Sequence, residues 1–495
     1  MAMMVPESVL AGGVIWYMTR MADSGLEIAT LSGGTYKLES GALQALRASF
    51  RGPILTAGDA GYDETRAVWN AMADRKPAMI ARCTGTADAR SIVRLCRDHQ
   101  LLNSVRGGSH NVAGTGVCER GVMIDMSLMK GVFVDPVART VRAQAGCVLG
   151  DVDRDTQVHG LAAVLGYVSA TGIAGLTTGG GFGYLTRKHG WTCDNVVGFE
   201  VVTAAGEVVH ASKNDHHELF WCLRGGSGNF GIVTAIEYEL YPVGPEIVGG
   251  LIAWPYDRAR DVLGFLREFT RTSPRELAIM TIARCAPPAP FIPKELHGKP
   301  IIAVSACYCG DPAEGERVVA PLKAFGRPAA DVIVRRPYAQ MQSIFDAGAP
   351  KGKRNYWKSE NLPDLSPGAC EVMATQLDTM PSPTSLMFFF HVAGALNDLP
   401  ADHSPAGNRD AKFVCNIASM WDRAEDDRAN IAWARDTWEK LKPHTTGGVY
   451  VNFLADDDGA DRVASAYGSN HERLTALKHK YDPHGLFRHC KALPA

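Results

Sequence analysis

The chain has 495 residues, of which 46% are hydrophobic and 21% charged, and its formal net charge at pH 7 is −2. This length allows roughly two to four domain-sized units with a large core. The near-neutral charge gives no support for binding to nucleic acid or to an anionic membrane surface. The twelve cysteines are scattered without CxxC pairs, which favours buried thiols in a reducing compartment and gives no zinc-site spacing.

Residues 1–40 are predicted to be an N-terminal tail or extension. The apolar stretch VLAGGVIWYM (Val9–Met18) is too short to span a bilayer. No basic residues precede it, and no clear cleavage motif follows it. We therefore expect a cytoplasmic protein without stable membrane association, with an export signal as the alternative interpretation.

Alternating helices and strands are predicted after the tail. LESGALQALRASF (38–50) is typical of a short helix, and the segment Tyr62–Met72 follows it. MIARC (79–83) predicts a strand, and 88–99 predicts a helix with an apolar face. The next predicted strand, LNSVR (102–106), leads directly into a glycine pair.

That glycine pair belongs to the run SVRGGSHNVAG. Glycines accept positive φ and a close backbone approach, so consecutive N–H groups can point at one anion while an arginine adds charge. The histidine that ends the turn is either a nucleophile or an ordinary hydrogen-bonded loop residue. The candidate binding residues are Arg106, Gly107, Gly108, Ser109, His110 and Asn111.

A second glycine-rich run, GIAGLTTGGGFG, follows three predicted strands at 121–126, 132–134 and 140–146. Each glycine weakens a helix or strand by roughly 0.5 to 1 kcal/mol, so a packed element would not carry this many without a reason. Close passage of the backbone past a flat ring and a pyrophosphate is one such reason. The candidates here are Gly172, Gly175, Gly179, Gly180, Gly181 and Gly183, with Asp194 and Asn195 after them.

A third run, RGGSGNFGIVTAIEYEL, starts at Arg224, after a predicted hairpin over 199–211. Gly226, Gly228 and Gly231 match GxGxxG, but a dinucleotide fingerprint must open a helix. The residues that follow alternate with period 2 and predict a strand. A Rossmann domain is therefore not predicted. Gly231 and Ile232 remain candidates for binding a cofactor in a fold other than the Rossmann fold.

Together the three runs resemble the FAD-linked oxidases of the vanillyl-alcohol oxidase and berberine-bridge-enzyme type over about residues 45–245. That family usually has R-(S/G)-G-G-H, and this chain departs from it only at Ser109. The resemblance implies FAD bonded through its 8α-methyl group to the residue that matches, His110. It also implies an α+β fold in which a two-part FAD-binding domain of the PCMH type contains an inserted substrate domain, an antiparallel sheet covered by helices.

Domain boundaries follow from the boundary segment PVGPE and from the family pattern. We expect the FAD-binding domain over 41–245, the substrate domain over 246–440 and a C-terminal segment over 441–495 that returns to the FAD domain. Within the second half, 258–270 predicts a helix, and 301–307 and 385–392 predict strands. Near the end, 448–453 predicts a strand and 463–477 an amphipathic helix that ends at DPHG.

The resemblance also predicts the number of flavin bonds. Many relatives have a second bond from a cysteine before the glycine-rich run, but that position is Val168 here, followed by Ser169. One bond is therefore expected. YDETRAVWN and LAAVLGYVSATGIAGL look nearer to monocovalent bacterial members, among them D-specific 6-hydroxynicotine oxidases, than to plant enzymes.

Tyr450 is the candidate base, since family members place a tyrosine from this motif over the substrate carbon. On a strand, Tyr450 and Asn452 would face the same side. Lys358, in the motif YWKS, is expected either to lower the pKa of Tyr450 or to bind a substrate anion. A tyrosine packed in the sheet is the alternative. The tail FRHCKAL departs from the FR-x-N-Q-N-I of relatives, which leaves its flavin contacts open.

The sequence thus predicts an FAD oxidase that removes two electrons from a CH–OH or CH–N group of a small molecule, with O2 as the oxidant and H2O2 as its product. Thr171 is expected to keep a path for O2 open, as small β-branched residues do in relatives. The alternatives are an oxidative cyclase or dual oxidase of secondary metabolism and a non-catalytic flavin-binding protein. An oligomer is compatible with the sequence.

Overall fold

The computed structural model describes residues 25–491 and residue 493. The apolar stretch Val9–Met18 and Ala492 of the FRHCKAL tail lie outside the described residues. The part of the predicted tail that is described forms a hairpin of two strands, and its Ile28 and Leu38 are buried in the same core as Met79. This hairpin is therefore integral to the fold.

The strands, in chain order, are β1 Leu26–Ala29, β2 Thr35–Leu38, β3 Ile54–Leu55, β4 Met79–Arg82, β5 Asn103–Arg106, β6 Val122–Asp125, β7 Val132–Asp135, β8 Thr140–Gln144, β9 Leu161–Ala162, β10 Val196–Val202, β11 Val208–Ser212, β12 Ile232–Glu239, β13 Tyr241–Pro242, β14 Glu246–Pro255, β15 Leu277–Cys285, β16 Pro300–Tyr308, β17 Ala330–Asp331, β18 Val334–Pro337, β19 Arg354–Leu362, β20 Leu386–His391 and β21 Phe413–Trp421.

The helices are α1 Ser40–Ser49, α2 Tyr62–Arg66, α3 Thr86–Asp98, α4 Leu149–Thr156, α5 Ile173–Thr178, α6 Thr186–His189, α7 His217–Leu223, α8 Ala259–Thr272, α9 Pro312–Ala324, α10 Tyr338–Gln342, α11 Pro367–Thr375, α12 Ala395–Asp398, α13 Asp427–Leu441, α14 Ala460–Tyr467 and α15 His471–Tyr481.

Two sheets carry the glycine-rich runs. The first has four strands in the order β3-β4-β6-β5, with β4, β6 and β5 parallel, and the glycine pair directly follows β5. The second has five antiparallel strands in the order β11-β10-β12-β8-β7. The first two glycine-rich runs thus lie in the connections between strands, and the third leads directly into β12, one of the central strands of the second sheet.

The second half of the chain builds an eight-stranded antiparallel sheet with the order β17-β14-β16-β15-β20-β21-β19 and with β18 paired to β14. Side chains alternate between its two faces. One face packs under α8, α9, α11 and α13, where Ile279, Phe389 and Ile417 are buried. The other face carries Met280, Phe388 and Phe390 and points towards the glycine-rich runs. This is the helix-covered antiparallel sheet that the resemblance implies.

Asn70 joins the two halves. Its Nδ2 donates to the carbonyls of Val112 at 2.6 Å and of Asn355 at 2.9 Å, and its Oδ1 accepts the Asn355 N–H at 2.9 Å. Since the amide is buried, these bonds replace the ones it would make to water. They fix the start of β19 against the chain that follows the glycine pair.

Most element predictions are confirmed, including the strand β12 that argued against a Rossmann domain. Two differ. The C-terminal helix is interrupted at Gly468, whose φ of +55° an L side chain rarely adopts, so α14 and α15 are separate. Residues 448–453 are not a strand, because Tyr450 is extended but Val451–Phe453 form a single 3-10 turn.

Candidate active site

A cavity of about 370 Å³ lies between the glycine-rich runs and the open face of the eight-stranded sheet. The predicted residues that line it are Arg106, Gly107, Gly108, Ser109, His110, Asn111, Gly172, Gly175, Gly231, Ile232, Tyr450 and Asn452. The structure thus brings together residues that are up to hundreds of positions apart in the chain.

The turn after β5 needs its glycines for close packing. A Cβ added to Gly108 would lie 2.3 Å from the backbone nitrogen of Gly172. The positive φ that we expected of the glycine pair occurs instead at Ser109, at +55°. The expectation of positive φ was wrong. Gly108 is needed where its backbone meets that of Gly172, and Ser109 adopts the left-handed conformation.

His110 projects from this turn and stacks on Trp69, with ring centroids 4.9 Å apart and an angle of 19° between the planes. Within the described residues, neither ring nitrogen has a hydrogen-bond partner. Burial lowers the pKa of His110 to about 4, and the charge of Asp346 only partly opposes this effect. The imidazole is therefore neutral at pH 7, with nitrogens open to the cavity.

Val168 and Thr171 line the cavity near this turn. Between them, Ser169 is fixed by Asp346, whose Oδ1 accepts the Ser169 N–H at 2.8 Å. The position that holds a cysteine in many relatives is thus a valine at the cavity wall. All twelve cysteines are free thiols, and Cys490 is the one that lines the cavity.

Tyr450 and Asn452 meet although they are not on a strand. The Asn452 amide donates to the Tyr450 hydroxyl oxygen at 2.9 Å, and the Gly181 N–H donates to the same oxygen at 3.0 Å. Burial raises the pKa of Tyr450, and the two hydrogen bonds only partly oppose this effect. The oxygen accepts two bonds, so its own proton remains available for donation.

The later glycines of the second run support this pair and do not line the cavity. A Cβ on Gly179 would lie 2.2 Å from Oδ1 of Asn452, and one on Gly183 would lie 2.0 Å from the Leu165 carbonyl oxygen. Gly180 and Gly181 have φ of +111° and +83°. We predicted that these later glycines contact a cofactor. In the structure they pack closely against other parts of the protein instead.

Lys358 does not lie beside Tyr450, contrary to the expected lowering of the tyrosine pKa. Its Nζ donates to Asp458 at 2.6 Å and to Asp457 at 3.3 Å. The side chains of β19 alternate, so Asn355 and Trp357 line the cavity while Lys358 lies on the opposite face. The hydrogen bond and charge of Asp458 raise the pKa of Lys358 despite burial.

Asp194 and Asn195 are also away from the cavity. Both carboxylate oxygens of Asp194 bind the guanidinium of Arg409, at 2.6 and 2.7 Å. Asn195 donates to the His189 and Trp191 carbonyls. These contacts fix the segment that follows the glycines, so both residues are structural here.

Sequence reasoning missed the wall contributed by the sheet. The missed side chains are Trp69, Arg284, Trp357, Phe388, Phe390 and Asn416. They come from four different strands and one loop, and no short motif connects them. No alternation marks the inward face, because 386–390 reads LMFFF and both faces of these strands are buried, so the sequence alone gives no signal for them.

The cavity fits an FAD group. Ser104 Oγ and Arg106 Nε are buried at its wall without hydrogen-bond partners in the described residues. Gly107, Gly172 and Gly231 line the cavity with backbone and no side chain. A polar end and a glycine-lined channel are what a nucleotide with a planar ring system requires. The described residues hold no cluster of His, Cys, Asp or Glu suited to a metal ion.

The C-terminal tail closes the other end of the cavity. Phe487, His489, Cys490 and Lys491 line it. Asn229 fixes this segment by donating to the Lys491 carbonyl at 3.1 Å and accepting the Leu493 N–H at 3.1 Å. The atypical FRHCKAL sequence therefore still reaches the cavity.

Along the described chain, no helix is long and apolar enough to cross a membrane.

Comparison with known proteins agrees with this geometry. Residues 77–212 match the family described as FAD binding domain, and residues 449–494 match berberine and berberine like. The chain is 29% identical to (R)-6-hydroxynicotine oxidase of Paenarthrobacter nicotinovorans, over 89% of this chain and 96% of that protein. It is also 29% identical to an FAD-linked oxidoreductase of Dictyostelium discoideum, over 89% and 94%.

Solved structures show the same fold. The 6-hydroxy-D-nicotine oxidase of Arthrobacter nicotinovorans superposes with a TM-score of 0.81 at 27% identity, covering 90% of this chain and 98% of that one. A chitooligosaccharide oxidase reaches 0.77 at 23% identity, over 91% and 99%, and supports the fold alone. The chain is therefore similar, over about nine-tenths of its length, to FAD-linked oxidoreductases, with an FAD-binding domain at 77–212 and a berberine-like segment at 449–494.

Proposed function

We propose that this enzyme is an oxidase that removes two electrons from a CH–OH or CH–N group of a small molecule and passes them to O2, giving H2O2. The observation that carries the proposal is the position of Tyr450, whose hydroxyl is buried at the cavity that His110 and the glycine turn also line.

The residues that would hold FAD are those of the turn Arg106–Asn111, with Gly172, Gly175 and Gly231 along the channel. Bound there, the flavin supplies the acceptor for a hydride at its N5 atom. His110 is the proposed attachment point for the 8α-methyl group, and its low pKa supports this role because a neutral imidazole can act as a nucleophile. With Val168 at the alternative position, one bond is proposed.

Tyr450 is the proposed proton acceptor. A hydride leaves an alcohol or amine carbon readily only as the heteroatom proton is removed. The Gly181 N–H and the Asn452 amide already point at the phenolic oxygen, so they stabilise the negative charge that forms there. Asn452 is thus a positioning residue, and Lys358 has no part in this step.

Aromatic side chains keep water away from the reacting groups. The Phe182 ring packs edge-on against Tyr450 at 4.9 Å, and Phe453 does so at the same centroid distance. Phe390 contacts Phe182 from the sheet side. In such surroundings a hydrogen bond to a developing charge is stronger than it is in water.

The experiment that tests the proposal is a screen of the purified yellow protein against alcohols, amines and oligosaccharides, with H2O2 release as the readout. The proposal expects one substrate class to release H2O2 in amounts equal to the oxidised product. Product analysis separates an oxidase from an oxidative cyclase. A compound that reduces the flavin without H2O2 formation in air would contradict the oxidase assignment.

A further inference from the structure

Arg284 is a positive charge without a counter-ion at the cavity wall. Its Nε donates to the Cys285 carbonyl at 3.0 Å. Among the described residues, no hydrogen bond or ion pair involves its two terminal amino groups. A Cβ on Gly348, another lining residue, would lie 3.7 Å from Nη1, so the guanidinium lies directly beside the cavity.

Three other arginines that are partly or fully buried are paired with carboxylates. Arg409 binds both oxygens of Asp194, Arg354 binds Asp427, and Arg462 binds Glu360 at 2.9 Å. Burial lowers the pKa of Arg284, yet an arginine stays protonated at neutral pH. A half-buried cation with unpaired donors is partly desolvated, which costs stability unless a partner binds. Arg284 therefore has the features of a binding group.

The register of the sheet shows where Arg284 lies relative to the reacting groups. Arg284 pairs with Leu386, Ile282 with Phe388, and Met280 with Phe390. Each such cross-strand pair forms one row of the sheet, and the row of Met280 and Phe390 packs in the same cluster as Tyr450. The rows of Phe390 and Arg284 are four strand residues apart, which corresponds to about 13 Å.

The wall between these two ends is mostly apolar, with Asn416, the cross-strand partner of Phe388, as its polar member. Ile282 and Phe388 form the middle row, and the rings of Phe388 and Phe390 are stacked with centroids 5.0 Å apart. Trp357 lies on the Arg284 row at the other side, because it pairs with Ala418, which pairs with Leu386. Such a wall suits an extended conjugated ring system.

We propose that Arg284 binds an anionic oxygen of the substrate, a carboxylate or an acidic enol or phenol, at the far end of an extended aromatic or conjugated molecule whose reacting carbon lies beside Tyr450. The proposal rests on the proposed function, since it names the substrate class of that site. Arg284 is then a specificity-determining residue, and the neutral analogue of a substrate leaves its guanidinium without a partner.

The test measures binding, so it needs no turnover. Naphthalene, biphenyl and anthracene carboxylates are titrated into the flavin-loaded enzyme, each beside its neutral carboxamide, and the shift of the flavin absorption spectrum gives the dissociation constant. We expect at least one carboxylate to bind at least about tenfold more tightly than its carboxamide, as a charged hydrogen-bonded pair does. Arg284→Gln should remove that preference, and Arg284→Lys should keep part of it.

The matched control is Arg428→Gln, since Arg428 is exposed on α13. It should keep the full preference for carboxylates. Equal affinity for acid and amide in the parent enzyme, or failure of every compound to bind it, overturns the proposal even if Arg284→Gln does not fold. A preference that survives in a folded, flavin-loaded Arg284→Gln also overturns it. Acids that bind through Arg284 while no compound is oxidised would instead contradict the proposed oxidase function.

Discussion

At the scale of single residues, Tyr450 combines a buried hydroxyl with two N–H donors on its oxygen. The sequence suggested a lysine as the stabilising group, but the structure supplies the Gly181 N–H and the Asn452 amide instead. A neutral amide stabilises a phenolate less than a cation does. The phenol is consequently protonated at neutral pH before substrate binds. This protonation should be visible in the pH dependence of the rate of flavin reduction.

Tyr450→Phe removes the hydroxyl and keeps the ring packing. We expect flavin content and folding to survive, and the rate of flavin reduction to fall by about 10² to 10⁴ because the general base is lost. Anaerobic stopped-flow reduction measures this. Tyr467→Phe is the matched control, since Tyr467 is buried away from the cavity and its hydroxyl has no partner in the described residues. Equal rates in Tyr450→Phe and the parent would make Tyr450 structural.

The pH profile follows from the direction of the Tyr450 shift. Because burial raises this pKa, the phenolate fraction at neutral pH is small and grows about tenfold per pH unit. The rate of flavin reduction should therefore rise with pH from about 7 to about 10 without a plateau, and Tyr450→Phe should flatten the profile. If the rate of flavin reduction instead reached a plateau below neutral pH, a positive group would have to lower the pKa of Tyr450 in the flavin-loaded enzyme.

Thr171 is the residue that we propose keeps a path for O2 open. It lines the cavity, so Thr171→Leu should fill the path and slow reoxidation in air by about tenfold or more, which corresponds to about 1.4 kcal/mol of barrier. Chemical reduction followed by mixing with aerated buffer measures this without a substrate. Thr171→Val, which keeps the size, should reoxidise like the parent. Slow reoxidation of the parent itself would indicate a dehydrogenase.

At the scale of elements, α4 and α10 are joined by a buried carboxyl group. Asp153 Oδ2 accepts the Gln342 amide at 2.9 Å, and Oδ1 is buried without a partner. Burial raises the pKa of Asp153 to about 7, with the hydrogen bond from Gln342 opposing. The contact links a helix of the FAD half to one at the edge of the eight-stranded sheet.

Asp153→Asn should change the pH dependence of stability. The folded state holds the proton more tightly than the unfolded state, so stability falls as pH rises from about 4 to about 7. The loss is up to about 4 kcal/mol for a shift of this size. Asp153→Asn, which stays neutral, should therefore gain melting temperature over the parent at pH 8 and little at pH 4. The same difference at both pH values would contradict the raised pKa.

At the scale of the whole molecule, local patterns predicted more than long-range ones. The glycine turn, the strand β12 and the helix-covered sheet follow from residues close in sequence or from the family resemblance. Lys358 was misplaced because both faces of β19 are buried, so alternation alone could not tell which face meets the cavity. Arg284 and the aromatic side chains of the wall were missed because they become neighbours only through the pairing of strands that are far apart in the sequence.

We propose that the cavity between the glycine-rich runs and the sheet holds FAD, with His110 as the covalent attachment point. Peptide mass spectrometry of the acid-precipitated protein tests it most directly. We expect one FAD per chain, carried by a peptide that contains His110, with none on Cys490 or any other cysteine, and releasable FAD or apoprotein in His110→Ala. Native protein whose FAD dissociates fully in acid, or flavin on a cysteine peptide, would contradict the assignment of His110.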